Sequence, residues 1–450
     1  MPKISVCKAC PDECELAYHL SLLRIDDHSE QLEEASLAPV FTSHLLGTCQ
    51  SSSVSNRTEA ASQYALLAGV TEANGLDPKI YEDGKAWGND PRLFFNVSSP
   101  SSTFICGSQG SGKSHTLSCI LEGSLISSKA GRLPKPLTAV VFHYDTFISD
   151  VNGSPCEAAF LASNPDIKVR ILCAPTNLRT IQGTYSRFKS IKVEALQIDQ
   201  SDLNTKRMLD LMAVGQDNGP LPLYMHTVQR ILREMRLEQQ NLGSGFDYSG
   251  FKGRILDSGL TTGQLEPLKQ RLDTLESFMP SQQVFPTTGK TLKAERWGSD
   301  WMPQYMDNSV EARSFTETLL STVRLQRHLG IRIVISTQEP TISTALLGLC
   351  SVTIVHRFSS PDWLHSLKKH IAGVSMGEGI CRESSAHEMS LFEKIVRLRV
   401  GEALLFSPGA VISIPTRSGM EDLSKKLGPG YLEVKIRSRL TEDGGRSVIS

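Results

Sequence analysis

Residues 102–121 read STFICGSQGSGKSHTLSCIL, with the spacing G-x-x-x-x-G-K-S from Gly107 to Ser114. Glycines at these positions let the backbone turn its amides inward, where they can hold phosphate oxygens. Gly107, Ser108, Gln109, Gly110, Ser111 and Gly112 would form the cradle. Lys113 would reach the β- and γ-phosphates, and Ser114 would ligate the magnesium that travels with the nucleotide. A chain of 450 residues meets this pattern by chance on the order of once in fifty. Here the β-rich run STFIC precedes the glycines, and KSHTLSCILEGSLI follows with apolar residues at helical spacing. Strand, loop and helix in that order are what the chemistry needs. No N-K-x-D guanine-reading motif occurs, so ATP is the expected nucleotide.

Outward from this loop the chain reads as an α/β protein. LTAVVFHYD (Leu137–Asp145), IKVRILCA (Ile167–Ala174), IRIVIS (Ile331–Ser336) and VTIVHRF (Val352–Phe358) are expected to be buried strands. LPLYMHTVQRILREMRLEQQ and GQLEPLKQRLDTLESFM carry helical patterns, separated by the loop-like NLGSGFDYSGFKG. A mostly helical insertion is therefore expected over 197–279. Asn308 and Glu311 are spaced as a capping box ahead of a further helix. Helices PDWLHSLKKHI and HEMSLFEKIVRLR and a hairpin-like GEALLFSPGAVISI complete the pattern. Alternating strands and helices predict a parallel sheet covered by helices on both faces.

Hydrophobic residues make up 40% of the chain and charged residues 21%, a globular balance. The formal net charge of -1 means that nucleic-acid binding would need a local basic surface. No apolar run approaches the roughly 18 residues of a membrane span, and the start does not read as a secretory signal. Ten cysteines in this length do not form a disulfide scaffold, so reduced thiols in the cytosol or nucleus are expected. Residues 1–60 are acid-rich and end in a small polar linker, and much of this segment is expected to be flexible. CKACPDEC places Cys7, Cys10 and Cys14 ahead of His19, a set that could hold zinc, although no second ligand pair follows. Residues 61–450 then form the P-loop domain.

The phosphate loop, the strand ending in Thr337-Gln338, VTIVHRF and the terminal GEALLFSP together resemble the HerA/FtsK superfamily of DNA-pumping ATPases. The likeness runs from about Arg92 to the C-terminus and is strongest to fungal P-loop proteins of that type. It implies a RecA-like fold, a homo-oligomeric ring, Mg-ATP, DNA as a partner, and Gln338 as the sensor beside the γ-phosphate. Its ring sites are completed by an arginine from a neighbouring subunit, for which Arg324, Arg327 and Arg357 are candidates, Arg327 foremost. The branch with membrane helices does not fit this chain.

One part of that pattern is missing. The superfamily places a strand ending in Asp-Glu before the sensor strand, whereas residues 285–308 read FPTTGKTLKAERWGSDWMPQYMDN, with no aliphatic run to bury. Asp300 stands where the magnesium-side carboxylate is expected, but Trp301 replaces the glutamate, and an indole cannot take a proton from water. Glu295 and Asp307 are nearby in sequence with no strand to aim them. Three readings fit: a relative that binds ATP and turns it over slowly, a sequence lacking an internal segment, or an acid supplied from elsewhere. A non-catalytic nucleotide-binding interaction protein is the alternative to an ATPase.

Overall fold

The computed structural model describes residues 36–43, 46, 61–74, 90–143, 153–212, 223–280, 283, 310–338, 344–369, 384–414 and 423–444. The chain divides into two compact units, one of residues 1–138, 322–440 and 445–450, the other of residues 139–321 and 441–444. In chain order the elements begin with β1 (Val40–Thr42), β2 (Tyr64–Asn74), β3 (Arg92–Asn96), β4 (Ser102–Cys106), α1 (Lys113–Leu125) and β5 (Gly131–Arg132). Next come β6 (Arg170–Cys173), α2 (Leu178–Thr184), β7 (Lys192–Ala195), α3 (Thr205–Met212), α4 (Leu223–Leu242), α5 (Tyr248–Leu256) and α6 (Thr262–Ser277). The rest are α7 (Val310–Leu329), β8 (Ile333–Thr337), α8 (Thr344–Leu349), β9 (Val352–Val355), α9 (Pro361–Lys368), α10 (Ser384–Arg397), β10 (Glu402–Phe406), β11 (Val411–Ile414), β12 (Leu423–Lys426) and β13 (Tyr431–Ile436).

The first unit is built on one sheet of order β12-β11-β1-β3-β2-β13-β10-β9-β4-β8, with β5 against β2. Around the phosphate loop it is parallel: β4 lies between β8 and β9, and both run in its direction. Beyond β9 the neighbours up to β3 and β1 are antiparallel. Strand side chains alternate between faces, and each face has its own core. Ile105, Val352, Ile354, Ala403 and Leu405 pack with Cys119 and Ile120 of α1. Phe104, Cys106, Val355, Leu404 and Phe406 pack with Leu347, Leu364, Leu367, Leu391 and Ile395 from α8, α9 and α10. Helices thus cover both faces at the parallel end.

The expected hairpin GEALLFSPGAVISI forms as two strands that do not pair. β10 sits between β9 and β13, whereas β11 sits between β1 and β12. Five strand spacings separate β10 from β11 in the sheet order, roughly 24 Å if the sheet were flat. The chain from Phe406 to Val411 can reach only about 18 Å. The antiparallel half must therefore curl back on itself, and Ala410, Ile412, Val40, Leu93 and Leu432 share one enclosed core. Within the first 60 residues, Val40 and Phe41 are fully buried in this sheet, and Phe41 stacks on Phe94 at 5.7 Å.

The second unit holds the helical stretch, with Val228, Ile231, Leu232, Met235, Phe251, Ile255, Leu268 and Leu272 in one core. The loop expected at NLGSGFDYSGFKG contains α5. Tyr248, Phe251 and Ile255 share a helix face and are buried, and Asp247 caps the helix by accepting from the Gly250 amide at 3.0 Å. Burial overrides the two glycines. Two strand expectations also change. Residues 137–143 adopt no strand, and Val140, Val141 and Phe142 are exposed, because no ladder of the described sheet takes up their backbone. Arg170–Cys173 is a strand, but among the described residues it pairs with β7 alone, in a two-stranded parallel sheet, and it is not buried. Asn308 lies outside the described residues, so the capping box is not seen.

Candidate phosphate-binding site

β4, β8 and β9 end together. Cys106 is level with Thr337 on one side and Val355 on the other, so Gly107, Gln338 and His356 leave the sheet at the same edge. In an α/β sheet, that carboxyl-terminal edge is where ligands bind. The loop from Gly107 to Gly112 carries the chain from β4 into α1 across this edge.

Two of its glycines are required by their surroundings. Gly107 has φ of 150°, and a methyl group there would meet the His356 Cβ at 2.7 Å and the Ser111 Oγ at 2.8 Å. Gly112 has φ of 110° and would meet the Gly401 amide nitrogen at 3.1 Å. The loop is also tied to β9: the Ser108 amide and hydroxyl both donate to the Arg357 carbonyl, at 2.8 and 2.9 Å. The His356 amide donates to the Cys106 carbonyl at 2.8 Å. Gln109 and Gly110 stand exposed at the crest, and Ser114 is exposed in the first turn of α1.

Lys113 folds back over the loop and donates to the Ser108 carbonyl at 2.8 Å. Partial burial lowers its pKa from the usual lysine value. A bound phosphate would supply the negative charge that this site lacks, so the lysine is held where an anion is favoured. Burial pushes the Cys106 thiol up to about 12 against the opposing effect of Lys113, so it stays a thiol. Cys106 and Cys119 are buried core residues.

The other expected site residues separate. Gln338 is exposed, one residue beyond the rung that pairs Thr337 with Cys106, and so beside the start of the loop. Arg357 is exposed at the same edge. Arg324 and Arg327 are exposed on α7, which precedes β8, whereas Gln338 follows that strand. Asp300, Glu295, Trp301 and Asp307 lie outside the described residues, as do Cys7, Cys10, Cys14 and His19. Among the described residues no group of three or more His, Cys, Asp or Glu is placed to hold a metal ion. No described helix is long and apolar enough to cross a membrane.

Sequence reading missed His356. It is buried, its Nε2 lies 2.9 Å from the Thr116 hydroxyl on α1, and its Nδ1 lies 3.0 Å from the Glu402 carbonyl at the start of β10. The available signal was a histidine directly after the aliphatic run VTIV.

No protein-family model matches the chain, and no curated protein matches it. Solved structures do. The pCW3 conjugation coupling protein TcpA, in a monomer form with ATPγS, is similar at 12% identity and a TM-score of 0.24, over 78% of this chain and 68% of that one. The cytoplasmic domain of the Thermomonospora curvata type VII secretion ATPase EccC is similar at 12% identity and a TM-score of 0.26, over 84% of this chain but 29% of that one.

Proposed function

We propose that the chain binds Mg-ATP at Gly107–Ser114, as a P-loop NTPase-fold protein of the ring-forming, DNA-translocating type. The observation that carries this reading is the loop itself. A glycine-built turn joins a buried strand to a helix at the carboxyl edge of three parallel strands, with Lys113 laid over it and Ser114 exposed beside it. Backbone amides and the start of α1 would hold the phosphates, Lys113 would neutralise them, and the Ser114 hydroxyl is an oxygen ligand suited to magnesium. When bound, magnesium would supply charge neutralisation between the β- and γ-phosphates. Gln338 is proposed as the sensor, since its amide can donate to a phosphate oxygen and accept from water. The ring, the DNA and an arginine donated across subunits by Arg327 rest on the family resemblance.

A second reading has its own support. The described segments that directly follow β4, β8 and β9, namely Gly107–Ser114, Gln338 and His356–Ser360, carry no carboxylate side chain, and the nearby Glu402 at the start of β10 accepts from the Arg399 amide at 2.8 Å. Among these described segments no side chain can act as a carboxylate base for the attacking water, as a nucleotide-binding interaction protein would have it.

The separating experiment is Mg-ATP binding and steady-state turnover, with and without duplex DNA, against Lys113→Ala. Binding lost in the variant supports the site. Turnover that rises with DNA and depends on Lys113 supports the motor. Binding without turnover supports the second reading. Binding indifferent to Lys113→Ala would sink both.

A further inference from the structure

We propose that His356 is a positioning residue of the phosphate loop, its backbone and Cβ closing on Gly107 at the start of the loop and its imidazole fixing the far end beside Gly112 through a hydrogen bond to Thr116. The inference rests on the nucleotide-binding reading above and assigns the residue that shapes that site.

His356 touches the loop at its beginning and its end. The close approach of its Cβ is what excludes a side chain at Gly107, and a methyl on Gly112 would lie 3.5 Å from its Cε1. The ring also bridges two further elements. The Glu402 carbonyl can only accept, so the Nδ1 that faces it carries the proton. In the neutral ring Nε2 is then a lone pair, and Thr116 donates its hydroxyl proton to it. The Thr116 backbone amide donates to the carbonyl of Gly112, the last residue of the loop, at 3.0 Å. A single path therefore runs from β10 through the imidazole to the first turn of α1, three residues past Lys113.

The surroundings keep the ring in this form. Burial pushes the pKa of His356 down to about 4; the hydrogen bond to Glu402 works against that, and the positive charges of Lys113 and His115 reinforce it. A neutral ring with its proton on Nδ1 has one arrangement that satisfies both partners. Phosphate binding needs amides that already point inward before the ligand arrives. Replacing the ring changes the packing beside Gly112 and frees the Thr116 hydroxyl, so the end of the loop can relax, while the Cβ beside Gly107 stays in place.

The test uses the full chain, a fluorescent ATP analogue with magnesium, and melting curves without nucleotide. His356→Leu is expected to weaken binding by about tenfold or more. His356→Gln, whose amide oxygen can accept from Thr116, should recover to within about threefold of the wild type. Thr116→Val keeps the volume and removes the donor. It is expected to weaken binding by more than its fall in melting temperature accounts for, and the double variant His356→Leu/Thr116→Val to bind no worse than His356→Leu alone. Should His356→Leu fail to fold, the Thr116→Val and His356→Gln results decide. The proposal is overturned if Thr116→Val binds as wild type while Lys113→Ala does not, or if His356→Leu folds and binds as well as His356→Gln. Losses that add fully in the double variant, or that merely follow the melting temperature, overturn it too. Equal binding by the wild type and Lys113→Ala would instead remove the nucleotide site and this inference with it.

Discussion

Single residues decide the chemistry of the loop edge, and His356 shows how burial does so. Its folded pKa of about 4 lies below the ordinary 6.5. Between those values the unfolded chain takes up a proton that the folded chain refuses. Stability from this residue is therefore complete above about pH 6.5 and declines as pH falls towards about 4, by about 3 kcal/mol at full extent. His356→Gln should flatten that part of the profile, as read from urea midpoints at pH 7, 5.5 and 4.5. An unchanged slope would mean that other groups carry the acid sensitivity. The same residue marks where sequence reading stops. Gly107 to Ser114 was legible because its parts lie within one short run whose order is itself the motif. His356 meets Thr116 across 240 residues of chain, and a lone histidine after an aliphatic strand announces no partner.

At the scale of elements, α1 is held from two directions. His356 reaches its first turn, and the segment after β13 lies along its body. The Arg437 guanidinium donates to Glu122 at 2.8 Å and to the carbonyls of Leu66, Cys119 and Ser438, and Glu122 is fully buried. His115, the residue after the proposed magnesium ligand, has its Nε2 at 2.7 Å from the Arg437 carbonyl. Removing one partner of such a pair leaves the other charge buried. Arg437→Met is expected to cost about 3–5 kcal/mol in urea unfolding, far more than a surface pair would. A loss below about 1 kcal/mol would show that Arg439, whose Nε is already 3.8 Å from the Glu122 carboxylate, neutralises it unaided. Elements were legible where periodicity and length agree, as in α4, whose Val228, Ile231, Leu232 and Met235 recur at helical spacing. α5 was hidden by Gly250 and Gly253, which lower helix propensity, and only the burial of Tyr248, Phe251 and Ile255 reveals why it forms. The strands of GEALLFSPGAVISI were legible and their partners were not, because strand pairing is set by distant chain.

For the molecule as a whole, the sheet with its phosphate loop and the helical cluster have separate hydrophobic cores, drawn from separate compact units. The α/β alternation around the loop was legible from strand and helix patterns. The antiparallel half of the sheet was not, since it joins residues near 40, 70, 95, 412 and 434 that share no local signal. Two cores of this kind need not melt together. Calorimetry of the full chain is therefore expected to resolve two transitions, of which saturating Mg-ATP raises one. At a hundredfold excess over Kd, binding adds about 2.7 kcal/mol to the state that holds the ligand. Phe251→Ala empties part of the helical core, where such a change costs about 3–5 kcal/mol. It should lower the other transition and leave the nucleotide-sensitive one in place. If Phe251→Ala instead lowers both transitions equally, the two cores fold as one cooperative body, and nucleotide bound at Gly107–Ser114 would then stabilise the helical unit as well.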